Sequence, residues 1–599
     1  MRSEKPNILL ITTDQQHYST LGKFNSAIKT PHLDALADEG IIFTNAYCCD
    51  QTCTPSRASI LTGKYPSEHG AWSLGTRLNT EDNILLTDCL KQAGYRTVLI
   101  GKSHFEPLRK TDKYPSIETT QNLSNLDFWR DFHGPYYGFE YVEMTRGHGN
   151  TSEVGEHYAV WLEERLSHWR DYFLRPTGNL PHPPLFVGEI LPQKWNLPEK
   201  YHHSRWIEER SIAMLNQFKE NDENNPFFMW ISFADPHYPH VCPEPWSNLH
   251  DPNTISVPKK KLGEHRNSNP ILKVTQKSFA KFILKITTRL QSFIWKIKLK
   301  INKKTSKKGE AVDFSNFEGI FRKLKGFRKI SSFIDYYSDF VDNEQKPFFI
   351  HGLHPHVQFR NQKAKSLAMM YGKISLIDNC IGNIMATLVE NEQSNDTIII
   401  FTTDHGDQIG EHGLYYKGPF PYQAGMKVPF IVRIPGTRKP SEHSHAYISL
   451  ADIAPSILKL VGLEIPEQMT GIDQSEVFTG NQKSVRDHII CEFRETPIKI
   501  FMATFIMDHF KIVFYYKRNF GELFDLKKDP EEYHNLWDDH RYKKLKKRLM
   551  LDYVYKRVKS EQLEDYKKIW KDFTIDQLYP VVWEYMLGKP DIMPRIADA

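Results

Sequence analysis

Cysteine is scarce in this chain: Cys48, Cys49, Cys53, Cys89, Cys242, Cys380 and Cys491 are the only thiols in 599 residues, and no two form a CxxC pair. So sparse and odd a set excludes a disulfide framework and a cysteine zinc site, and it suits a reducing compartment. Long apolar runs are missing as well. The greasiest region, FAKFILKITTRLQSFIWKIKLKI, is broken by Lys or Arg every few residues, whereas a bilayer span needs about 20 consecutive apolar residues. The opening MRSEKPNILLITTDQQ has a charged lead, too short an apolar run for a secretory core, and no small-residue cleavage site after it. The expectation is a leaderless, cytoplasmic protein with no transmembrane segment.

What is present is ordinary globular composition, 40% hydrophobic and 25% charged, at a length that usually means two or more domains. The formal charge of +5 hides an asymmetry, because residues 259–329 hold 21 Lys and Arg against 4 acids and the rest is net acidic. One acidic body carries one basic insertion. Such a face suits a polyanionic glycan, an acidic membrane surface or nucleic acid, although a merely solvated insertion has the same composition. No stacking motif or nucleic-acid fold signature favours nucleic acid.

Short β-branched runs recur along the chain: NILLITT (7–13), RTVLIGK (96–102), PFFMWISF (226–233), TIIIFTT (397–403) and PFIVRIP (429–435). Between them lie helical patterns such as PHLDALADEG, RWIEERSIAMLNQF and ISLIDNCIGNIMATLVEN. This alternation predicts an α/β fold with a large, mostly parallel sheet sandwiched by helices. Residues 1–245 and 366–487 read as that catalytic unit, and 246–365 as the basic insertion or lid. Residues 488–599 read as a smaller α+β unit, with HIICEF, KIVFYY and ELFDL as short strands and a charged helix from about 540.

Ligands bind beyond the carboxyl ends of strands in such sheets. Asp14 and Gln15 follow the first run, Lys102 and His104 the second, Asp235 and His237 the third, and Asp404 and His405 the fourth. Two carboxylates, an amide oxygen and an imidazole make a divalent-cation site; the oxygens favour Ca²⁺ or Mg²⁺, and the imidazole tilts toward Mn²⁺ or Zn²⁺. Either pair alone is more often a simple turn former. Lys102, His104, His237 and Lys417 supply the cations and proton carriers that an oxyanion ester requires.

The stretch CTPSRASILTG (53–63) reads as a helix from Pro55 to Gly63, with Cys53 just ahead of its N-terminus and Arg57 one turn in. Free N–H groups and a guanidinium there favour an anion. A lone cysteine more often only packs, as Cys48 and Cys49 are expected to do on the strand leading in.

Together with GKSHF, ADPHYPH, TTDHGDQIGEHGLYYKG, SLADIAPSILKLVGL and ELFDLKKDPEEYHNL, these motifs resemble the sulfatase family of the alkaline-phosphatase-like superfamily, over roughly 5–245 and 366–540. The resemblance implies that a modifying enzyme oxidises Cys53 to formylglycine (3-oxoalanine), the nucleophile of sulfate ester hydrolysis through a covalent sulfated enzyme. It further implies Asp14, Gln15, Cys53, Asp404 and His405 as ligands of one divalent ion, calcium in most of the family. Arg57 would steady the nucleophile, Lys102 and Lys417 clamp sulfate, His104 act as the base that expels it, and His237 as the acid at the leaving group.

Many sulfatases have a second aspartate where this chain has Gln15, and an asparagine where it has His405. The set Asp, Gln, Asp, His resembles the branch with phosphonate monoester hydrolases and some choline sulfatases. Hydrolysis of phosphonate monoesters or phosphodiesters is therefore the first alternative, and non-catalytic polyanion binding the second.

Overall fold

The computed structural model describes residues 5–107, 115–151, 154–173, 192–220, 225–258, 261, 360–437, 443–495, 500–516, 518 and 520–560. The basic stretch 259–329 lies outside these residues, apart from Lys261. No described helix is long and apolar enough to cross a membrane.

The main sheet has eight strands. In chain order they are β1 (Asn7–Asp14), β2 (Ile41–Tyr47), β3 (Arg96–Gly101), β4 (Tyr141–Met144), β6 (Phe227–Pro236), β8 (Thr397–Thr403), β9 (Ile431–Arg433) and β10 (Ser444–Ser449). Their order across the sheet is β10-β2-β9-β8-β1-β6-β3-β4. Between β4 and β6 in the chain, β5 (Gln193–Trp195) pairs with β7 (Val241–Pro243) in a separate two-stranded ribbon.

β1 pairs in parallel with β6 and β8, setting Ile8 beside Phe228 and Ile398, and both outer sides continue in parallel except at β9. β9 runs against both β8 and β2. The sheet is therefore mostly parallel, with one reversed strand inside the PFIVRIP run. Ile8 to Asp14 are buried without a break. Since successive side chains point to opposite faces, continuous burial means that both faces are covered.

The cover comes from α1 (Pro31–Glu39), α2 (Cys53–Thr62), α3 (Glu156–Arg165), α4 (His203–Glu220), α5 (Arg360–Glu390) and α6 (Ile453–Leu460), besides shorter helices. α5 packs along α4 and α1 and reaches β6, while α2 packs against α6. Helix α2 starts at Cys53 itself, with Pro55 in the first turn, where its missing N–H breaks no helical bond. It ends at Gly63, which takes φ +63° and donates its N–H to the Ser59 carbonyl at 3.0 Å, a left-handed stop that glycine adopts without a steric cost.

Beyond residue 487 the chain forms an antiparallel sheet of β11 (His488–Glu495), β12 (Ile500–Met507), β13 (Phe510–Tyr515) and β14 (Gly521–Asp525), in that order. Helix α7 (Lys543–Ser560) packs on β12 and β13. The unit is pinned to the main body by polar contacts: Arg557 of α7 lies 3.0 Å from Glu68, and Glu492 of β11 accepts from the Ser67 N–H at 2.8 Å and from its hydroxyl at 2.9 Å. Cys48, Cys49 and Cys491 are buried between the two sheets and unpaired by disulfide.

Candidate active site

All the parallel strands that bear chemistry end on one rim. β1 delivers Asp14 and Gln15, β3 is followed by Lys102 and His104, β6 by His237, and β8 by Asp404 and His405, while the segment after β2 turns through Cys48 and Cys49 into α2 and Cys53. Gln15 and His104 take φ +62° and +60°, a region that non-glycine residues enter at a cost and that recurs where a side chain must be aimed.

Cys53 sits at the centre, 1% exposed. Its thiol donates toward Asp14 Oδ1 at 3.6 Å and lies 3.3 Å from His405 Nε2, while Lys417 Nζ donates to Sγ at 2.8 Å and Lys102 Nζ at 3.6 Å. Lys102 also ion-pairs with the other Asp14 oxygen. Lys417 directs further protons at His237 Nε2, 3.2 Å away, and at His405 Nε2, 3.3 Å away. Burial alone would raise the Asp14 carboxyl, but the ammonium groups of Lys102 and Lys417, with His148 and His405, hold it well below the usual carboxylate range. At Cys53, burial and Asp14 push the thiol up, yet the same two lysines bring it below its ordinary value. A pocket so built stabilises added negative charge at position 53.

Arg57 is wholly buried beneath this group. Its Nε donates to the Ser103 carbonyl at 2.6 Å, one Nη to the Lys102 carbonyl and to Ser232 Oγ at 2.6 Å, and the other Nη lies 3.6 Å from Asp404 Oδ2. It thus ties the ends of β3, β6 and β8 to the first turn of α2.

The residues present fit a divalent cation. One donor atom each from Asp14, Cys53, Asp404 and His405 falls within 4.8 Å of the others. His405 donates Nδ1–H to the Gly406 carbonyl at 2.9 Å, which leaves the Nε2 lone pair facing the cluster. Gln15 donates its amide to Asp407 at 2.6 Å, and its Oε1, like Asp404 Oδ2, is buried with no hydrogen-bond partner among the described residues. Orphaned buried oxygens of this kind call for a ligand.

His104 is buried, and neither ring nitrogen has a hydrogen-bond partner among the described residues. Burial, then Arg146, Lys102, Lys417 and His148, lower its pKa well below the ordinary histidine value. His237 donates Nδ1–H to the Tyr238 carbonyl at 2.6 Å, with Nε2 turned to Lys417.

Several residues here escape a sequence reading. His148, on the loop after β4, stacks on His237 with ring centroids 3.8 Å apart and lies 3.8 Å from Asp14 Oδ2. Its strand is only four residues long, so no hydrophobic run marks the rim position. Glu118 accepts from the backbone N–H groups of His104 and Phe105, each at 3.1 Å, and ion-pairs with Arg146 at 2.8 Å. It holds the His104 turn and the His148 loop together. Nearby Glu156, the first residue of α3, is buried with both carboxyl oxygens unpartnered among the described residues.

Burial and the Glu118 charge, opposed by Arg146, push Glu156 up to about 8. An acid whose pKa is raised in the folded state keeps its proton while the unfolded chain loses it, so stability falls as pH climbs from about 4.5 to 8. Glu156→Gln should remove that slope: urea unfolding should find it close to wild type near pH 4.5 and ahead by about 1 kcal/mol per pH unit above that, up to pH 8. Parallel stability–pH curves for the two proteins would contradict this.

A mostly parallel sheet with metal-type donors, clamping lysines and a buried residue 53 at one rim defines an alkaline-phosphatase-like hydrolase. The family model described as Sulfatase matches residues 6–463, and that of the N-sulphoglucosamine sulphohydrolase C-terminal region matches 410–559. The chain belongs to the sulfatase family of sulfuric ester hydrolases. It is 26% identical to an arylsulfatase of Clostridium perfringens, over 96% of this chain and 99% of that one. It is 24% identical to an N-acetylglucosamine-6-O-sulfatase of Bacteroides thetaiotaomicron, over 97% and 90%. In fold it is similar to a phosphonate monoester hydrolase from Silicibacter pomeroyi, with a TM-score of 0.65 at 21% identity, covering 93% of this chain and 96% of that one.

Proposed function

We propose that this protein hydrolyses sulfate esters carried on an aryl group or a sugar, using a formylglycine formed from Cys53 and one divalent cation held by Asp14, Gln15, Asp404 and His405. The observation that carries the reading is the convergence of Lys102, Lys417, Asp14 and His405 on Cys53 Sγ, the atom that stands where the hydroxyl of a hydrated aldehyde would be. When bound, the cation supplies Lewis-acid polarisation of the nucleophile and the sulfuryl oxygens. The remaining work falls to the chain's own groups. Lys102 and Lys417 offset charge on the nonbridging oxygens. Arg57 fixes the nucleophile's turn against Asp404. His104, kept neutral, takes the proton as sulfate is expelled from the covalent sulfated enzyme, and His237, whose Nε2 accepts from Lys417, passes a proton taken from that ammonium to the leaving oxygen.

The sugar preference leans on the N-acetylglucosamine-6-O-sulfatase relative, and the aryl preference on the arylsulfatase. A second reading, phosphonate monoester hydrolysis, is favoured by Gln15 and His405 standing where many sulfatases have Asp and Asn. Rates of the metal-replete, matured protein on 4-nitrophenyl sulfate and on a 4-nitrophenyl phosphonate monoester separate the two. The expected outcome is faster sulfate turnover together with a Cys53 peptide whose mass is that of the aldehyde; a large phosphonate preference, or an unconverted thiol in the active protein, would overturn it.

A further inference from the structure

Asp235 lies two residues before His237, at the end of β6, in a wholly buried polar knot that the reaction does not use. His202 and His203, at the start of α4, each bring Nε2 to 3.5 Å from Asp235 Oδ2. This group has the composition of a metal site. The Ser204 N–H donates to His202 Nδ1 at 3.2 Å, so that ring turns its Nε2 to Asp235.

The other Asp235 oxygen is held by Lys373 of α5, with Nζ 2.6 Å away and the side chain fully buried. The same ammonium donates to the His237 carbonyl at 2.6 Å and to the Pro239 carbonyl at 3.2 Å. An ammonium has three protons. Two are donated to these carbonyls while the charge pairs with Asp235, so one lysine grips a five-residue turn at its first, third and fifth residues, and His237 is the middle one. Its ring then makes one local bond, Nδ1–H to the Tyr238 carbonyl, inside the segment that Lys373 clamps.

We infer that Lys373 is a positioning residue for proton donation to the leaving group: it sets where His237 Nε2 stands, from a helix that contributes no metal ligand. This rests on the assignment of His237 as the leaving-group acid. A misplacement of about 1 Å costs on the order of 10²-fold in rate where geometry governs the step. That loss should be graded by the substrate, because a good leaving group departs without a proton and a poor one does not.

The test is a series of substituted phenyl sulfates, from 4-nitrophenyl to 4-methoxyphenyl, turned over by the matured wild type, Lys373→Met, the double variant Lys373→Met/Asp235→Asn, and His237→Ala. The double variant removes both members of the ion pair, so it leaves no lone buried charge if the single change misfolds. Wild type should show a shallow dependence on the leaving group. In both Lys373 variants the 4-nitrophenyl rate should stay within about threefold while the 4-methoxyphenyl rate falls about 10²-fold, with KM little changed. Uniform losses across the series, or no loss, in the folded Lys373 variants alongside a steepened series in His237→Ala would overturn the role of Lys373 alone. A uniform loss in His237→Ala would overturn the acid assignment, and this inference with it.

Discussion

Cys53→Ala should abolish ester hydrolysis, with kcat down by at least about 10⁴-fold, the scale seen when a covalent nucleophile is removed. The fold should survive, because residue 53 opens α2 and alanine is a good helix former there. The cation should still bind, since Asp14, Gln15, Asp404 and His405 are untouched. Turnover, thermal melting and calorimetric titration with Ca²⁺ and Mn²⁺ on the same preparation distinguish loss of the nucleophile from loss of the pocket. Residual activity of more than a few per cent in a folded variant would remove Cys53 from the chemistry.

The second large effect is expected at His104. Its ring is buried, unpartnered among the described residues, and held by burial and the surrounding cations in the neutral form that a base requires. His104→Ala should lower steady-state kcat by about 10²–10⁴-fold, the usual contribution of a general base. The first turnover should be spared. Intact-mass measurement after mixing with 4-nitrophenyl sulfate should then show protein heavier by one SO₃ group, with a burst of nitrophenol. Equal slowing of burst and steady state, with no heavier species, would place His104 in the first step.

Much of this architecture is legible in the sequence because β8, β1, β6 and β3 are four adjacent strands inside the sheet with both faces covered, so the chain there must be apolar without interruption. The strands that are not legible lie at or near the edges. β2 carries Thr44 and Asn45, β10 begins Ser-His, and β4 has four residues, so none gives a run long enough to stand out. β12, IFMATFIM, is missed for the opposite reason: an apolar run without alternation does not distinguish strand from helix. At the site, Asp14, Lys102, Asp404 and His405 adjoin at the strand ends, while Cys53 reaches them from the start of α2 and Lys417 from the loop after β8. His148, Glu118 and Lys373 act through contacts between segments far apart in the chain, and no local pattern encodes those.

Lys417 itself depends on the C-terminal sheet. Leu414, Phe420 and Tyr422 on its loop pack with Phe493, Met502, Val513 and Phe524, and Lys511 reaches the Pro421 carbonyl. The nucleophile position is thus roofed by a loop that is synthesised more than 350 residues after it and is fastened by strands made later still. Under the formylglycine reading, the folded chain presents an oxidising partner protein with a side chain only 1% exposed among the described residues. Conversion is then expected on the nascent or unfolded chain, and incubating folded thiol protein with the modifying enzyme should leave the mass of the Cys53 peptide unchanged.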